Sequence, residues 1–244
     1  SDFAYYDQGK MFANVIVTNI NTSIDSVLLR KMASAQVDEG RVKSMTRRAI
    51  KTSTYIMAPL MMGLAFCAEP IVGLVLTDKW LPCVPFLRIF CVTYMFYPIH
   101  TANLNAIKAM GRSDLFLKLE IVKKVVGIAL LLSTMWFGVM AMAYSLLISS
   151  ILSQIINSWP NRKLLRYGYL EQLKDILPGI ALAVLMGCCV NLVELFHLTN
   201  IVTLLIQIPL GALIYIIASA LLHLESFEYM MDLIRPMIRK AIRR

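Results

Sequence analysis

The sequence predicts an all-α integral membrane protein of seven transmembrane helices followed by an amphipathic C-terminal tail helix. Three observations lead there. Of the 244 residues, 58% are hydrophobic and 16% charged, with a mean hydropathy of +0.67, whereas an average soluble domain is roughly 45–50% apolar and about 25% charged. Apolar runs of about 20 residues recur, the length a helix needs to cross about 30 Å of hydrocarbon at 1.5 Å per residue. The alternating segments of about 10 residues that mark a membrane β-barrel are absent.

Gly, Pro and charge clusters divide the chain into spans over residues 8–33, 47–77, 82–109, 114–137, 139–161, 174–196 and 199–223. The first, "GKMFANVIVTNINTSIDSVLLRKM", is too polar for a lipid-facing helix. Asn14, Thr18, Asn21 and Asp25 recur at i, i+4, i+7 and i+11 and so share one face. Two readings are open: hydrogen bonding to neighbouring helices, or the lining of a hydrated substrate path.

The second span carries Glu69-Pro70 in an otherwise apolar run. Pro70 is not expected to break it, because neighbouring groups can take up a freed carbonyl. It pairs with the third span in a hairpin turning at Thr77 to Trp80, with Trp80 an aromatic anchor at the interface. Glu69 lies eight residues before the turn and Arg88 eight after it, so both sit about 12 Å below it. An unpaired charge at that depth is costly, so Glu69 and Arg88 are expected to pair or to share an outward cavity.

On the third span, Tyr94, Tyr97, Thr101, Asn105 and Lys108 share a face flanked by His100 and Asn103. No nucleophile and acid accompany His100, and no enzymatic activity is expected. The fourth span places Glu120 at i−3 and i−4 from Lys123 and Lys124. These lysines either snorkel to the interface or provide a cationic lining for an anionic substrate. The fifth carries Ser145, Ser149, Ser153, Gln154 and Asn157, a polar stripe that also permits close packing. The sixth and seventh are apolar nearly all round.

The organisation expected is a five-span, cavity-lining bundle over 1–165, two peripheral apolar spans over 166–224, and a basic tail over 225–244 lying along the membrane surface through Phe227, Met230, Met231, Ile234 and Ile238.

The formal net charge is +9. All 24 basic residues except Lys10, Lys79 and Arg88 fall on one side of a strictly alternating path. Lys and Arg accumulate in cytoplasmic loops, so the N-terminus of this segment is outside and the C-terminus inside, in the cell membrane. Basic residues spread among helix ends face anionic lipid rather than nucleic acid. Five cysteines without a C-x-x-C pair or ligand-spaced histidines predict neither a disulfide framework nor a metal site, and no cofactor is implied. The opening "SDFAYY" reads as the middle of a longer chain, so a fragment is expected.

Three stretches together resemble a known family: "FAYYDQGKMFANVIVTNINTSIDSVLLRKMA", "TYIMAPLMMGLAFCAEPIVGLVLTDKWLPCVPFLRIF" and "NLNAIKAMGRSDLFLKLEIVKKVVGI". The Tyr5-Tyr6 start, Pro59, the Asp78-Lys79-Trp80 turn leading into Val84-Pro85-Phe86-Leu87, and the turn from Ala109 to Asp114 are similar to the Wzx-like polysaccharide exporters of the multidrug/oligosaccharidyl-lipid/polysaccharide superfamily. The resemblance implies a flippase for a lipid-linked oligosaccharide, typically on undecaprenyl pyrophosphate, built as two helical bundles in a V of 14 spans. This chain would be the second bundle, needing the missing N-terminal half or a second chain to close its path. Amides and aromatic faces at Asn14, Asn21, Tyr97 and Asn105 suit a sugar chain; Arg88, Lys123 and Lys124 suit a pyrophosphate. A cation-coupled drug antiporter of the same superfamily, with Asp25 or Glu69 as its acid, and an integral-membrane enzyme or scaffold acting on lipid-linked sugars are the alternatives.

Overall fold

A computed structural model describes residues 2–33, 38–196 and 198–232, with the side chains of the first helix described through Asn19 and at Met32. Among the described residues the fold is all helix: α1 (Asp2–Ala33), α2 (Glu39–Phe66), α3 (Ala68–Val75), α4 (Val84–Met95), α5 (Tyr97–Ala109), α6 (Ser113–Thr134), α7 (Val139–Leu164), α8 (Tyr169–Asn191) and α9 (Asn200–Leu221), with a 3₁₀ turn at Asp78–Cys83. Residues 225–232 are also helical.

The breaks have local causes. Asp38 starts α2 by accepting a hydrogen bond from the Arg41 amide at 3.0 Å, satisfying one of the first-turn donors. The second span is broken at Cys67, where α2 and α3 meet at a 68° bend. This corrects the expectation that Pro70 leaves the span intact: Pro70 has no N–H to return to the Phe66 carbonyl, so the ladder stops there. The third span divides at Phe96, two residues before Pro98 in the first turn of α5, for the same reason. The turn between α2/α3 and α4 begins at Thr77, held at φ 85°, a left-handed backbone that a β-branched residue rarely adopts.

By length and apolarity, four described helical stretches qualify as membrane spans, or five if the bent α2/α3 pair counts as one; seven is therefore not reached on these criteria. α6 falls short through the charges Lys118, Glu120, Lys123 and Lys124 in its first half.

α1 packs on α4 and α5; α2 packs on α4, α5 and most extensively on α8; α9 lies on α8 and α3. The main core joins Ala13 and Val17 of α1 to Met57, Met61, Leu87 and Phe90. A second core, with Ile50, Ile99, Leu165, Tyr167 and Ile176, closes the end of the bundle near the α7–α8 turn. α6 rests on α7 and α5 and buries none of its residues. At the start of the tail, Phe227 and Met230 are partly buried against the main core. Met231 is described but does not belong to that contact; Ile234 and Ile238 lie outside the described residues.

Candidate functional site

A cavity of about 450 Å³ opens where α1, α4, α5, α6 and α7 meet. Its charged groups are Lys10 from α1 and Glu120, Lys123 and Lys124 from α6; Tyr94, Tyr97, His100 and Thr101 come from the α4–α5 rod, and Ser149, Ser150 and Ser153 from α7. Helical spacing explains the placement. Tyr97, His100 and Thr101 recur at i, i+3 and i+4 on α5, and Ser149 and Ser153 at i and i+4 on α7 with Ser150 beside them, so each set lies toward one side of its helix.

Rings run along the wall in sequence. Tyr6 meets Phe90 edge-on at 5.1 Å between centroids, Phe90 stacks on Tyr94 at 6.1 Å, Tyr94 meets Tyr97 at 6.4 Å and Tyr97 meets His100 at 5.8 Å. Opposite them, Lys123 pairs with Glu120 at 2.5 Å and is only 14% exposed, while Lys124 is exposed. Carbohydrate faces, hydroxyls and anionic groups all find complementary surfaces here.

His100 has the partners that its sequence context did not suggest. Its Nε2 lies 3.4 Å from Ser150 Oγ and its Nδ1 lies 3.1 Å from Asn157 Nδ2. An amide N–H donated to Nδ1 leaves the ring proton on Nε2, facing Ser150. In that arrangement Nε2 donates toward Ser150 rather than accepting from it.

The other expected residues are dispersed. Asn14 and Thr18 are exposed on α1, with the Thr18 hydroxyl bonded to the Asn14 carbonyl at 2.8 Å. Asn105 is buried and does not line the cavity. Asn21 and Asp25 lie outside the described side chains. Glu69 and Arg88 stand 3.0 Å apart at the α2/α3 break, away from the cavity. Arg88 Nε also donates to the Ala65 carbonyl at 3.1 Å, so the guanidinium caps the broken end of α2 as well as meeting the carboxylate.

Two polar clusters were not legible in the spacing. The first is a buried amide network: Asn103 Nδ2 donates to Gln172 Oε1 at 2.8 Å, while Asn161 Nδ2 and Gln172 Nε2 donate to Asn103 Oδ1 at 2.7 and 3.0 Å. It ties α5, α7 and α8 together. The second corrects the view that the basic residues of α2 simply face lipid. Arg47 pairs with Asp175 at 2.7 Å, Lys51 lies 3.5 Å from Asp175, and Lys51 also pairs with Glu225. Tyr167 donates to Asp175 at 2.8 Å, and burial followed by that carboxylate raises the Tyr167 hydroxyl above its ordinary value.

The Lys51 ammonium holds the Glu225 carboxyl below the usual carboxylate range. A depressed acid stabilises the folded state above its unfolded value, about 4.3, and that contribution is lost as pH falls through the folded value. Hydrogen-exchange protection of residues 225–232, measured against the intrinsic rate at each pH, should therefore be flat above about pH 5 and fall on acidification. Glu225→Gln should remove the pH dependence; an unchanged profile in that variant would assign the docking to Arg48 over the Tyr229 ring, 4.8 Å away.

Comparison with known proteins follows the same line. Residues 1–85 match the family described as polysaccharide biosynthesis protein. A membrane protein of the cps region of Klebsiella pneumoniae is 28% identical over 141 residues, 57% of this chain and 29% of that protein. The teichuronic acid biosynthesis protein TuaB of Bacillus subtilis is 20% identical over 216 residues, 86% of this chain and 45% of that one. The lipid II flippase MurJ, in an inward closed conformation, shares the fold with a TM-score of 0.74 at 19% identity, over 97% of this chain and 48% of its own. The chain thus spans less than half the length of each of these proteins. The match over residues 1–85, the two relatives and the shared fold make this chain similar to membrane proteins of polysaccharide biosynthesis, in line with the family its own motifs resemble.

Proposed function

We propose that this chain is half of a multi-pass transporter that flips a lipid-linked oligosaccharide, on an undecaprenyl-pyrophosphate carrier, from the cytoplasmic to the outer leaflet during polysaccharide biosynthesis. The observation that carries this reading is the cavity itself. Polar and ionisable groups inside a membrane bundle are expensive and mark substrate paths, and here cations, hydroxyls and a row of aromatic rings converge on one opening. The lipid II flippase with the same fold adds weight.

In this reading α1 and α6 are the two further spans that raise five to seven, tolerated because Lys10 on α1 and Glu120, Lys123 and Lys124 on α6 line the cavity. Residues 1–165 carry the path, 166–224 flank it and 225–244 form a basic tail. The distribution of basic residues supports an outer N-terminus and an inner C-terminus. The path is completed by a second half, as the half-length match to the solved flippase suggests.

The test is export by the full-length protein. Lys123→Gln with Lys124→Gln, at equal membrane abundance, should lower surface polysaccharide at least about tenfold, the factor that about 1.4 kcal/mol represents. Unchanged export would remove the cationic lining and with it the substrate assignment of the cavity.

A further inference from the structure

We infer that His100 is a proton-binding site of the cavity, taking up a proton together with the anionic head group of the lipid-linked substrate, so that proton and substrate enter the site as a pair. The inference rests on the flippase reading and adds to it a coupling ion.

The first ground is the hydrogen-bond arrangement. As placed, Asn157 donates to Nδ1 and the ring proton sits on Nε2 toward Ser150. A second proton would go on Nδ1 and turn that nitrogen from acceptor to donor. Asn157 already holds the matching group: its Oδ1 is buried and has no hydrogen-bond partner among the described residues. Rotating the amide end for end gives Nδ1–H an acceptor, with no movement of α5 or α7. The site therefore offers hydrogen bonds to both the imidazole and the imidazolium, and burial and charge decide between them.

The second ground is that charge. The groups that share the cavity with His100 among the described residues are Lys123, Lys124 and Glu120 on α6 and Lys10 on α1, with the phenols of Tyr94 and Tyr97 on its own rod; α7 contributes only hydroxyls and amides. Three lysines against one carboxylate, which is already committed to Lys123, oppose a further cation while the cavity is empty. A phosphate or pyrophosphate held by those lysines reverses the sign of the local potential and favours the imidazolium. Linkage makes the effect reciprocal: the proton tightens anion binding by the same factor by which the anion tightens proton binding.

The experiment uses the full-length protein in nanodiscs with undecaprenyl pyrophosphate as the probe. Affinity should weaken as pH rises, by up to about tenfold per pH unit within the window between the free and bound titrations of one proton, and binding in weakly buffered solution should take up a proton. His100→Gln should bind the probe with a flat pH profile and no uptake. Asn157→Leu, which removes the switching acceptor but leaves the ring, should shrink the pH effect. Binding of equal affinity across pH, or a pH effect that survives in His100→Gln, would overturn the proton site and leave the flippase reading standing. Absence of binding at every pH would overturn both.

Discussion

Replacing Asn103 by Leu should destabilise the bundle by about 2–3 kcal/mol and lower its melting temperature in detergent more than any other single polar substitution on α5. Asn103 is fully buried and its side chain serves four bonds at once: Nδ2 to the Ile99 carbonyl and to Gln172, and Oδ1 from Asn161 and Gln172. Leucine fills similar space and restores none of them. The loss is uneven. Asn161 keeps the Asn103 backbone carbonyl at 3.2 Å and Gln172 Nε2 keeps the Tyr167 carbonyl at 3.2 Å, whereas Gln172 Oε1 loses its bond from Asn103. A buried acceptor stranded in this way costs about 1–3 kcal/mol, and the weakened bonds supply the rest. Membrane proteins recover part of such losses, because their unfolded helices find other partners, which holds the figure near the lower bound. A double-mutant cycle checks the mechanism: Gln172→Leu added to Asn103→Leu should cost less than the sum of the two alone. Strict additivity would mean the two side chains do not act as one unit. Because the network joins α5, which carries His100, to α7, which carries Ser150 and Asn157, the same variant should also loosen the cavity wall.

Gly9→Val should be the most damaging substitution on α1. A Cβ at this position would lie 2.8 Å from the Leu87 amide nitrogen, 3.0 Å from Phe86 Cβ and 3.1 Å from the Cys83 carbonyl oxygen. Backbone atoms of α4 cannot yield as a side-chain end would, so α1 must move. Its neighbours on that face are Ala13 and Val17 of the main core and Tyr6, which packs edge-on against Phe86 and Phe90. Close approach through a small residue is how membrane helices gain contact where lipid supplies no hydrophobic drive. Overpacking typically costs about 1–3 kcal/mol, and displacing Tyr6 adds the loss of two aromatic contacts, so a fall in melting temperature should accompany loss of the ring row beside the cavity. Gly9→Ala should show the same sign at smaller size. An unchanged melting temperature in Gly9→Val would mean that α1 is not seated on α4 at this point.

Much of the helical layout was legible in the sequence because its determinants are local. Apolar runs of membrane length and the Gly111 and Gly138 turns act within a few residues of where they stand. The proximity of Glu69 and Arg88 was legible for a related reason: rise per residue fixes depth on two helices joined by a short turn. The bend at Cys67 was misjudged, because whether a freed carbonyl is absorbed or ends the helix depends on what lies beside it, and here the chain bends by 68° while Arg88 caps the neighbouring Ala65 carbonyl. Polarity along the third and fourth spans pointed to Tyr97, His100, Lys123 and Lys124, and these share one cavity. Asn105, of equal polarity, is buried elsewhere.

By itself, then, the sequence determined that this is a helical membrane protein, which stretches of it are helical, and which family it resembles, since hydropathy, punctuation and motif order are properties of the chain read one residue at a time. Only the tertiary structure decided which polar residues meet. His100 finds Ser150 and Asn157 at separations of 50 and 57 residues, and Asn103 finds Gln172 at 69. Rotation of one helix about its axis against its neighbours sets those meetings, and it follows from close contacts such as Gly9 against α4, which no periodicity in a single helix encodes.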